Sequence, residues 1–156
     1  MSEPLFDLAG RVAMVTGTSR GLGQYLGRAL ARAGADLIIT SRRKEALEDF
    51  RREVESLGRR AVPVELDVRD RASIQRATEE AHRAFGRIDI LVNNAGCNVR
   101  KPALEVTWDD WNLVLETNLR GTFFVSQAVA RYMVAAKYGR IVNIGSIVGA
   151  TGNPGQ

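Results

Sequence analysis

A glycine-rich segment directly after a short apolar run constrains the fold of this chain more than any other feature. The apolar run Val12 to Val15 leads at once into Thr16-Gly17-Thr18-Ser19-Arg20-Gly21-Leu22-Gly23. This segment opens into a stretch of helical periodicity, in which apolar residues recur every three or four positions. A strand, a glycine turn and a helix in this order predict the first unit of a parallel α/β sheet with a dinucleotide site.

Each of the three glycines has its own predicted task in such a turn. Gly17 permits the tight turn, Gly21 lets the backbone approach a pyrophosphate, and Gly23 lets the helix pack close to the strand. The amino terminus of the helix offers free N–H donors to the phosphates. A plain glycine-rich loop is the alternative interpretation, whereas the lack of a following Gly-Lys-Ser/Thr excludes a triphosphatase P-loop.

Five short apolar runs alternate with longer helical stretches, which is typical of β-α-β units in a sheet covered on both faces. The predicted strands are Arg11 to Thr16, Asp36 to Ser41, Ala61 to Asp67, Ile88 to Asn93 and Arg140 to Ile144. We therefore predict an α/β fold, a Rossmann-type doubly wound parallel sheet. Residues 1–156 form a single NAD(P)-binding domain in this prediction, incomplete at its carboxyl end. Pro63 predicts an edge position for the third strand.

Four helices are predicted between these strands. The first ends at Gly34, the second ends before Gly58, and the third lies between a cap at Asp70 and Gly86. The fourth is longer. It begins at Thr107, with Asp110 reaching back to complete a capping box, and runs towards Met133, with Gly121 as a candidate bend.

Composition excludes several other functions. The basic residues are spread along the chain without interleaved aromatic residues, so the net charge of +4 does not predict a nucleic-acid partner. One cysteine, Cys97, and one histidine, His82, exclude a disulfide and a Cys/His metal site, and we expect Cys97 to be buried and His82 exposed. The apolar runs are too short to cross a membrane, and the first four residues lack the layout of a secretory signal, so we predict a cytoplasmic location.

Several landmarks together give the chain a specific resemblance. The glycine spacing is Gly-x-x-x-Gly-x-Gly, Asn93-Asn94-Ala95-Gly96 ends the fourth strand, Asn118 lies in the fourth helix, and Ser146 follows the fifth strand. With these landmarks in this order along the whole chain, it resembles the short-chain dehydrogenase/reductase family. The resemblance implies hydride transfer between a nicotinamide dinucleotide and a small ketone or secondary alcohol, by a homo-oligomer of two or four subunits.

The resemblance also implies roles for individual residues. Ser146 would hydrogen-bond the reacting oxygen and Asn118 would hold a water of a proton relay. Alternatively, Ser146 only caps a turn and Asn118 only satisfies buried backbone. Asp67 would contact the adenine. The predicted cofactor-binding residues are Gly17, Ser19, Arg20, Gly21, Leu22, Gly23, Ser41, Arg42, Asp67, Val68, Asn94, Ala95 and Gly96.

The end of the second strand bears on the choice of cofactor, because it meets the adenosine ribose. An acidic residue there would repel a 2′-phosphate, but this chain has Thr40-Ser41-Arg42-Arg43, with Arg20 close by in the glycine turn. Guanidinium groups offer forked donors to a phosphate. We therefore predict NADP, with NAD as the less favoured cofactor, unless Arg42 and Arg43 merely begin a solvated helix.

The resemblance also implies a tyrosine and a lysine in the order Tyr-x-x-x-Lys, about thirteen residues after the serine and thus past Gln156. We expect residues 1–156 alone to lack a proton donor of suitable pKa. We also expect the fifth strand to be outermost with an open edge. A dinucleotide-binding module without catalysis, or a truncated paralogue, is the alternative function.

The substrate is only weakly constrained. Leu5-Phe6-Asp7-Leu8 and Arg100-Lys101-Pro102 look similar to gluconate 5-dehydrogenase-like members of the family, and 3-oxoacyl carrier-protein reductases share most other features. Arg100 or Lys101 is a candidate for binding a substrate carboxylate, with an ordinary solvated loop as the alternative.

Overall fold

A single sheet of five parallel strands forms the centre of the computed structural model, which describes residues 6–149 and 151. The strands are β1 (Val12–Val15), β2 (Asp36–Ser41), β3 (Ala61–Glu65), β4 (Ile90–Asn93) and β5 (Arg140–Asn143). Their order in the sheet is β3-β2-β1-β4-β5, and every neighbouring pair is parallel. The predicted doubly wound fold is confirmed. Residues 1–5, from which we argued against a signal and in part for the substrate class, lie outside the described residues.

Five α-helices of the described residues flank the sheet, and all but the fourth present buried side chains to it. They are α1 (Leu22–Arg32), α2 (Glu48–Ser56), α3 (Arg71–Phe85), α4 (Trp108–Leu115) and α5 (Thr122–Ala135). Side chains of α1 and α2, such as Ala31 and Phe50, pack on one face, and side chains of α3 and α5, such as Ile74 and Val129, pack on the other. The continuous apolar strands between them separate two buried clusters.

The predicted helix ends agree with the structure where capping chemistry is strong. The Asp70 carboxylate accepts a hydrogen bond of 2.9 Å from the backbone N–H of Ala72, and α3 ends at Gly86 in the left-handed conformation. Thr107 and Asp110 form the predicted capping box at the start of α4. Each cap satisfies N–H groups that the first turn of a helix leaves without partners.

The predicted fourth helix is continuous but not regular. Between α4 and α5 the chain forms a π-helical turn over Glu116–Gly121. Gly121 is needed for close packing, because a Cβ atom there would lie 2.8 Å from the carbonyl oxygen of Val68. The sequence suggested a bend at this glycine, and the structure instead shows a widened turn that lies against the loop after β3.

The two outer strands behave as their sequences predict. β3 pairs only with β2 in the described sheet, so Pro63, which has no N–H to donate, occupies an edge strand. β5 is the other outer strand, and its Ile141 and Val142 are 41% and 46% exposed. This apolar edge is the open edge expected from the sequence.

The prediction for His82 is wrong, because its ring is half-buried and stacks on Tyr132 with ring centroids 4.1 Å apart. The stack joins α3 to α5. Within residues 6–149 and 151, none of the helices has both the length and the apolar character needed to traverse a lipid bilayer. The cytoplasmic location stays a prediction.

Candidate functional site

The carboxyl ends of β1, β2, β3 and β4 meet around a cleft of about 410 Å³. Parallel strands bring their carboxyl ends to one edge of the sheet, which is where doubly wound folds bind ligands. The structure brings together every residue predicted for the cofactor except Gly21 in the wall of this cleft. These residues are Gly17, Ser19, Arg20, Leu22, Gly23, Ser41, Arg42, Asp67, Val68, Asn94, Ala95 and Gly96.

The three glycines of the turn differ in their surroundings. A Cβ atom on Gly17 would lie 2.9 Å from the Cα atom of Ala95, and one on Gly23 would lie 2.7 Å from the side-chain amide nitrogen of Asn94. Both positions therefore exclude a side chain by packing within the protein. At Gly21 no heavy atom lies within 4 Å of the Cβ position, so the space beside this backbone is open.

Gly21 also sets the start of α1. Its φ of 62° and ψ of −138° lie in a region that only glycine adopts readily, and no side chain caps the helix there. The first N–H groups of α1 are therefore not satisfied by a capping side chain. Such a helix end, with open space beside Gly21, has the donors and the dipole that suit an anion.

Two adjacent asparagines hold the floor of the cleft together. The Asn94 amide donates to the carbonyl oxygens of Thr16 and Gly17 at 2.9 and 3.1 Å, which joins the end of β4 to the end of β1. The buried Asn93 amide donates to Ser126 Oγ at 2.8 Å and to Asn143 Oδ1 at 2.9 Å. Strands β1, β4 and β5 and helix α5 are thus fixed relative to one another by side-chain amides.

The end of the cleft near β2 is rich in guanidinium groups. Arg20, Arg42 and Arg69 line it, and Arg69 pairs with the carboxylate of Asp67 at 3.2 Å. Burial alone would raise the pKa of Asp67, but hydrogen bonds from the side chain and backbone of Arg69, together with the charge of Arg42, hold this pKa below its usual value. No carboxylate of the described residues lies within 4 Å of the Arg20 or Arg42 guanidinium.

Asn118 and Ser146 do not line this cleft. The Asn118 side chain uses both ends of its amide on Cys97, accepting from its N–H at 2.9 Å and donating to its carbonyl at 2.8 Å. The exposed Ser146 Oγ accepts from the Val148 N–H at 3.3 Å. The Ser146 contact corresponds to the alternative of a turn cap and does not use its hydroxyl proton. Asn118 bonds to backbone as its alternative states, but this backbone is half-buried rather than buried.

Sequence reasoning missed six further residues of the cleft wall. They are Thr40, Leu66, Arg69, Cys97, Leu113 and Thr117. Thr40, Leu66 and Arg69 lie at or just after strand ends, so their position next to predicted residues was a usable signal. Leu113 and Thr117 come from α4 and the π-helical turn, and only tertiary packing places them there. Cys97 is half-buried rather than buried, because it lies in this wall.

The two basic residues after the Asn-Asn-Ala-Gly segment are not equivalent. The Lys101 ammonium group pairs with Asp110 at 2.5 Å, within the capping box of α4. Arg100 is exposed, and its guanidinium has no carboxylate within 4 Å in the described part of the chain. Of the two candidates for a substrate carboxylate, only Arg100 is therefore unpaired in the structure.

Comparisons with known proteins agree with this geometry. Residues 11–156 match the family described as short chain dehydrogenase. The chain is 41% identical to gluconate 5-dehydrogenase of Gluconobacter oxydans over 99% of its own length and 61% of that protein. It is 43% identical to the 3-oxoacyl-[acyl-carrier-protein] reductase of Aquifex aeolicus, over 96% of its own length and 60% of that protein.

A solved structure shows the same similarity. It is a gluconate 5-dehydrogenase from Burkholderia cenocepacia in complex with NADP and tartrate, with 41% identity and a TM-score of 0.91. The match covers 96% of this chain and 59% of the solved one. The chain thus spans about 60% of the length of the relatives it matches.

Proposed function

The chain belongs to the short-chain dehydrogenase family, and from this premise we propose that it binds NADP in the cleft at the carboxyl ends of β1 to β4. The observation that carries the proposal is the cleft wall, which brings the glycine turn and the residues after β2, β3 and β4 to the start of a helix without a side-chain cap. A pyrophosphate placed there accepts from the backbone N–H groups of α1. We propose the whole protein to be an oxidoreductase acting on a ketone or secondary alcohol.

The guanidinium groups at the β2 end support NADP over NAD. Arg20 and Arg42 line the cleft, and Asp67 is the only carboxylate among the described residues of its wall. Because Asp67 is already paired with Arg69, its charge offers little repulsion to a 2′-phosphate. Arg20 and Arg42 then provide forked donors to that phosphate. Asp67 remains our candidate for contact with the adenine.

NADP, when bound, supplies or accepts the hydride, and the protein's own groups orient the reacting oxygen. Ser146 accepts a hydrogen bond through its oxygen, so its proton is free to be donated to a substrate oxygen. The Asn118 amide is used on Cys97. Asn118 remains our candidate for holding the water of the proposed relay, because its amide has a second N–H and a second oxygen lone pair beyond these two bonds.

The relatives suggest two substrate classes, sugar acids and 3-oxoacyl thioesters. Arg100 supports the first class, because an unpaired guanidinium on the loop after Gly96 suits a carboxylate. For the whole protein we propose a homo-oligomer. Exposed apolar residues on α4 and the π-helical turn, including Trp111 and Leu119, support this proposal. The other candidate function is a dinucleotide-binding module without catalysis, which is supported by the position of Asn118 and Ser146 outside the cleft wall.

Calorimetric titration tests the nucleotide proposal on residues 1–156. We expect NADPH to bind at least about tenfold more tightly than NADH, the factor that corresponds to roughly 1.4 kcal/mol. Adenosine 2′,5′-bisphosphate and adenosine 5′-monophosphate isolate the contribution of the 2′-phosphate, and the first should bind more tightly. Equal affinities in both pairs would refute NADP, and no binding of any of the four would refute the site.

A further inference from the structure

A second cavity lies between α3 and α5, on the face of the sheet opposite α1 and α2, and the proposed function does not use it. Its volume is about 620 Å³, within the usual range of small-molecule sites. We call it the α3/α5 groove. Its floor is apolar, formed largely by Ile74, Phe124 and Ala128, of which Ile74 is buried. Its far end contains the Tyr132 ring, on which His82 stacks.

Four arginines line the groove, against one carboxylate, Glu79. Arg69, Arg71 and Arg120 belong to the end where α3 begins, and Arg131 lies 11 residues beyond Arg120, about 16 Å along the helix. The side-chain amide of Gln75 donates to Glu79 at 3.1 Å, which satisfies part of its hydrogen-bonding capacity. The walls of the groove therefore carry a clear excess of positive charge.

Two of these guanidinium groups have no ion-pair partner among the residues that the structure describes. Arg69 pairs with Asp67 and Arg120 pairs with Glu116 at 3.0 Å. No carboxylate of the described residues lies within 4 Å of the Arg71 or Arg131 guanidinium. Arg71 also stands in the first turn of α3, where a cation opposes the helix dipole. An anion at that end would relieve this unfavourable placement.

From the apolar floor and the cationic end together we infer that the α3/α5 groove binds a small amphipathic anion, a carboxylate with an unbranched apolar tail. The carboxylate accepts hydrogen bonds from Arg71, in the first turn of α3, whose guanidinium has no ion-pair partner among the described residues. The tail lies along Ile74, Phe124 and Ala128 towards the His82–Tyr132 stack. An uncharged ligand with the same tail would leave the guanidinium groups without a partner, and a short anion would leave the apolar floor in water.

The groove is separate from the nucleotide cleft, although Val68 and Arg69 contribute to both walls. The inference does not rest on the proposed function, since binding of the anion is measured in the absence of nucleotide. A second copy of the chain is the other occupant to consider. Contact with a second copy would become more populated as the protein concentration rises. The affinity for the anion would not depend on protein concentration.

The test uses decanoate, with decanol and acetate as matched probes, on the protein of residues 1–156. Titration calorimetry at low salt should give decanoate binding at least about tenfold tighter than decanol, and no measurable binding of acetate. Amide NMR spectra should show shifts at Ile74, Ala128 and their neighbours. Decanoate affinity should fall as salt is added, because the guanidinium groups are open to solvent.

Two substitutions on the same helix locate the site. Arg71→Gln should weaken decanoate binding at least about tenfold, while Arg76→Gln, on an exposed face of α3 outside the groove, should leave it unchanged. Equal affinities of the unsubstituted protein for decanoate and decanol would by themselves overturn the inference. So would shifts confined to β5 and α4, equal effects of the two substitutions, or groove resonances that move with protein concentration and not with decanoate.

Discussion

Arg42 and Arg43 are adjacent in sequence, yet only Arg42 lines the nucleotide cleft. Ser41 contributes to this difference, because its hydroxyl oxygen accepts a hydrogen bond of 3.1 Å from the backbone N–H of Arg43 and fixes the chain just after β2. We expect Arg42→Ala to weaken NADPH binding by about 10- to 100-fold, the usual value of a hydrogen bond to a charged group. NADH binding should change little.

The neighbouring substitution Arg43→Ala is the control, since it removes the same charge from the chain at an exposed position outside the cleft wall. Titration calorimetry of both variants with both cofactors gives the comparison. A uniform loss with NADPH and NADH would show that Arg42 does not contact the 2′-phosphate. An equal effect of Arg43→Ala would show that net charge alone matters.

Gly21 and Gly58 allow the backbone effect of a glycine to be separated from its effect on binding. Both have positive φ, 62° and 75°, and no heavy atom lies within 4 Å of either Cβ position. We expect Gly21→Ala and Gly58→Ala each to cost about 1 to 3 kcal/mol of stability through backbone strain. Only Gly21→Ala should abolish NADPH binding, because its methyl group would occupy the space of the pyrophosphate.

Denaturant unfolding and calorimetry on the same samples test this pair. Retained NADPH binding in Gly21→Ala would mean that the phosphates lie elsewhere. Loss of binding in both variants would mean that binding responds to stability alone.

Which site residues can be predicted from sequence depends on where they lie in the chain. Gly17, Arg42 and Asn94 directly follow strands, and the carboxyl ends of parallel strands always share an edge of the sheet. Leu113 and Thr117 lie on α4 and the following turn, so their contact with the cleft depends on how that segment packs. The use of the Asn118 amide on Cys97 was likewise not evident, as it requires a contact across 21 residues.

At the scale of elements, the start of α4 depends on one carboxylate. Asp110 accepts hydrogen bonds from Lys101 and from the backbone and hydroxyl of Thr107, which lower its pKa to about 2, with Lys101 as the largest cause. A carboxylate whose pKa is depressed on folding stabilises the fold above its unfolded pKa, near 3.9. This stabilisation should therefore be lost as the pH falls from about 4 towards 2.

Lys101→Met should raise the pKa of Asp110 and move the loss of the α4 cap to higher pH. NMR titration of the Asp110 carboxyl carbon measures this directly. Lys44→Met is the matched control, because it removes a surface ion pair of 2.9 Å with Glu80 on a different part of the chain. An Asp110 pKa that does not respond to Lys101→Met would contradict the assigned cause.

Elements with strong local signals were predicted more closely than those set by packing. The caps of α3 and α4 follow from Asp70 and Thr107, whose side chains satisfy the first-turn N–H groups. The π-helical turn before Gly121 has no such signal. It forms where the helix meets the loop at Val68, and a sequence pattern of period 3.6 cannot indicate that contact.

At the scale of the whole molecule, nucleotide binding and turnover depend on different parts of the chain. The cleft is formed between Gly17 and Thr117, and Ser146 lies beyond β5, outside its wall. We expect residues 1–156 to bind NADPH and to gain about 2.7 kcal/mol of stability at a free ligand concentration of 100 times Kd. Thermal unfolding with NADPH, NADH and no ligand measures this gain.

The same polypeptide should not oxidise NADPH with ketones, sugar acids or 3-oxoacyl thioesters, followed by absorbance. A serine hydroxyl is too weak an acid to protonate a substrate oxygen near neutral pH, and no tyrosine follows Ser146 in residues 1–156. In a longer protein that carries Tyr-x-x-x-Lys after Ser146, turnover should appear. Ser146→Ala should then lower kcat by about 100-fold, the usual effect of losing one preorganised donor at a reacting oxygen. Turnover by residues 1–156 would show that another group is the acid, whereas an inactive longer protein that still binds NADPH would favour the non-catalytic module.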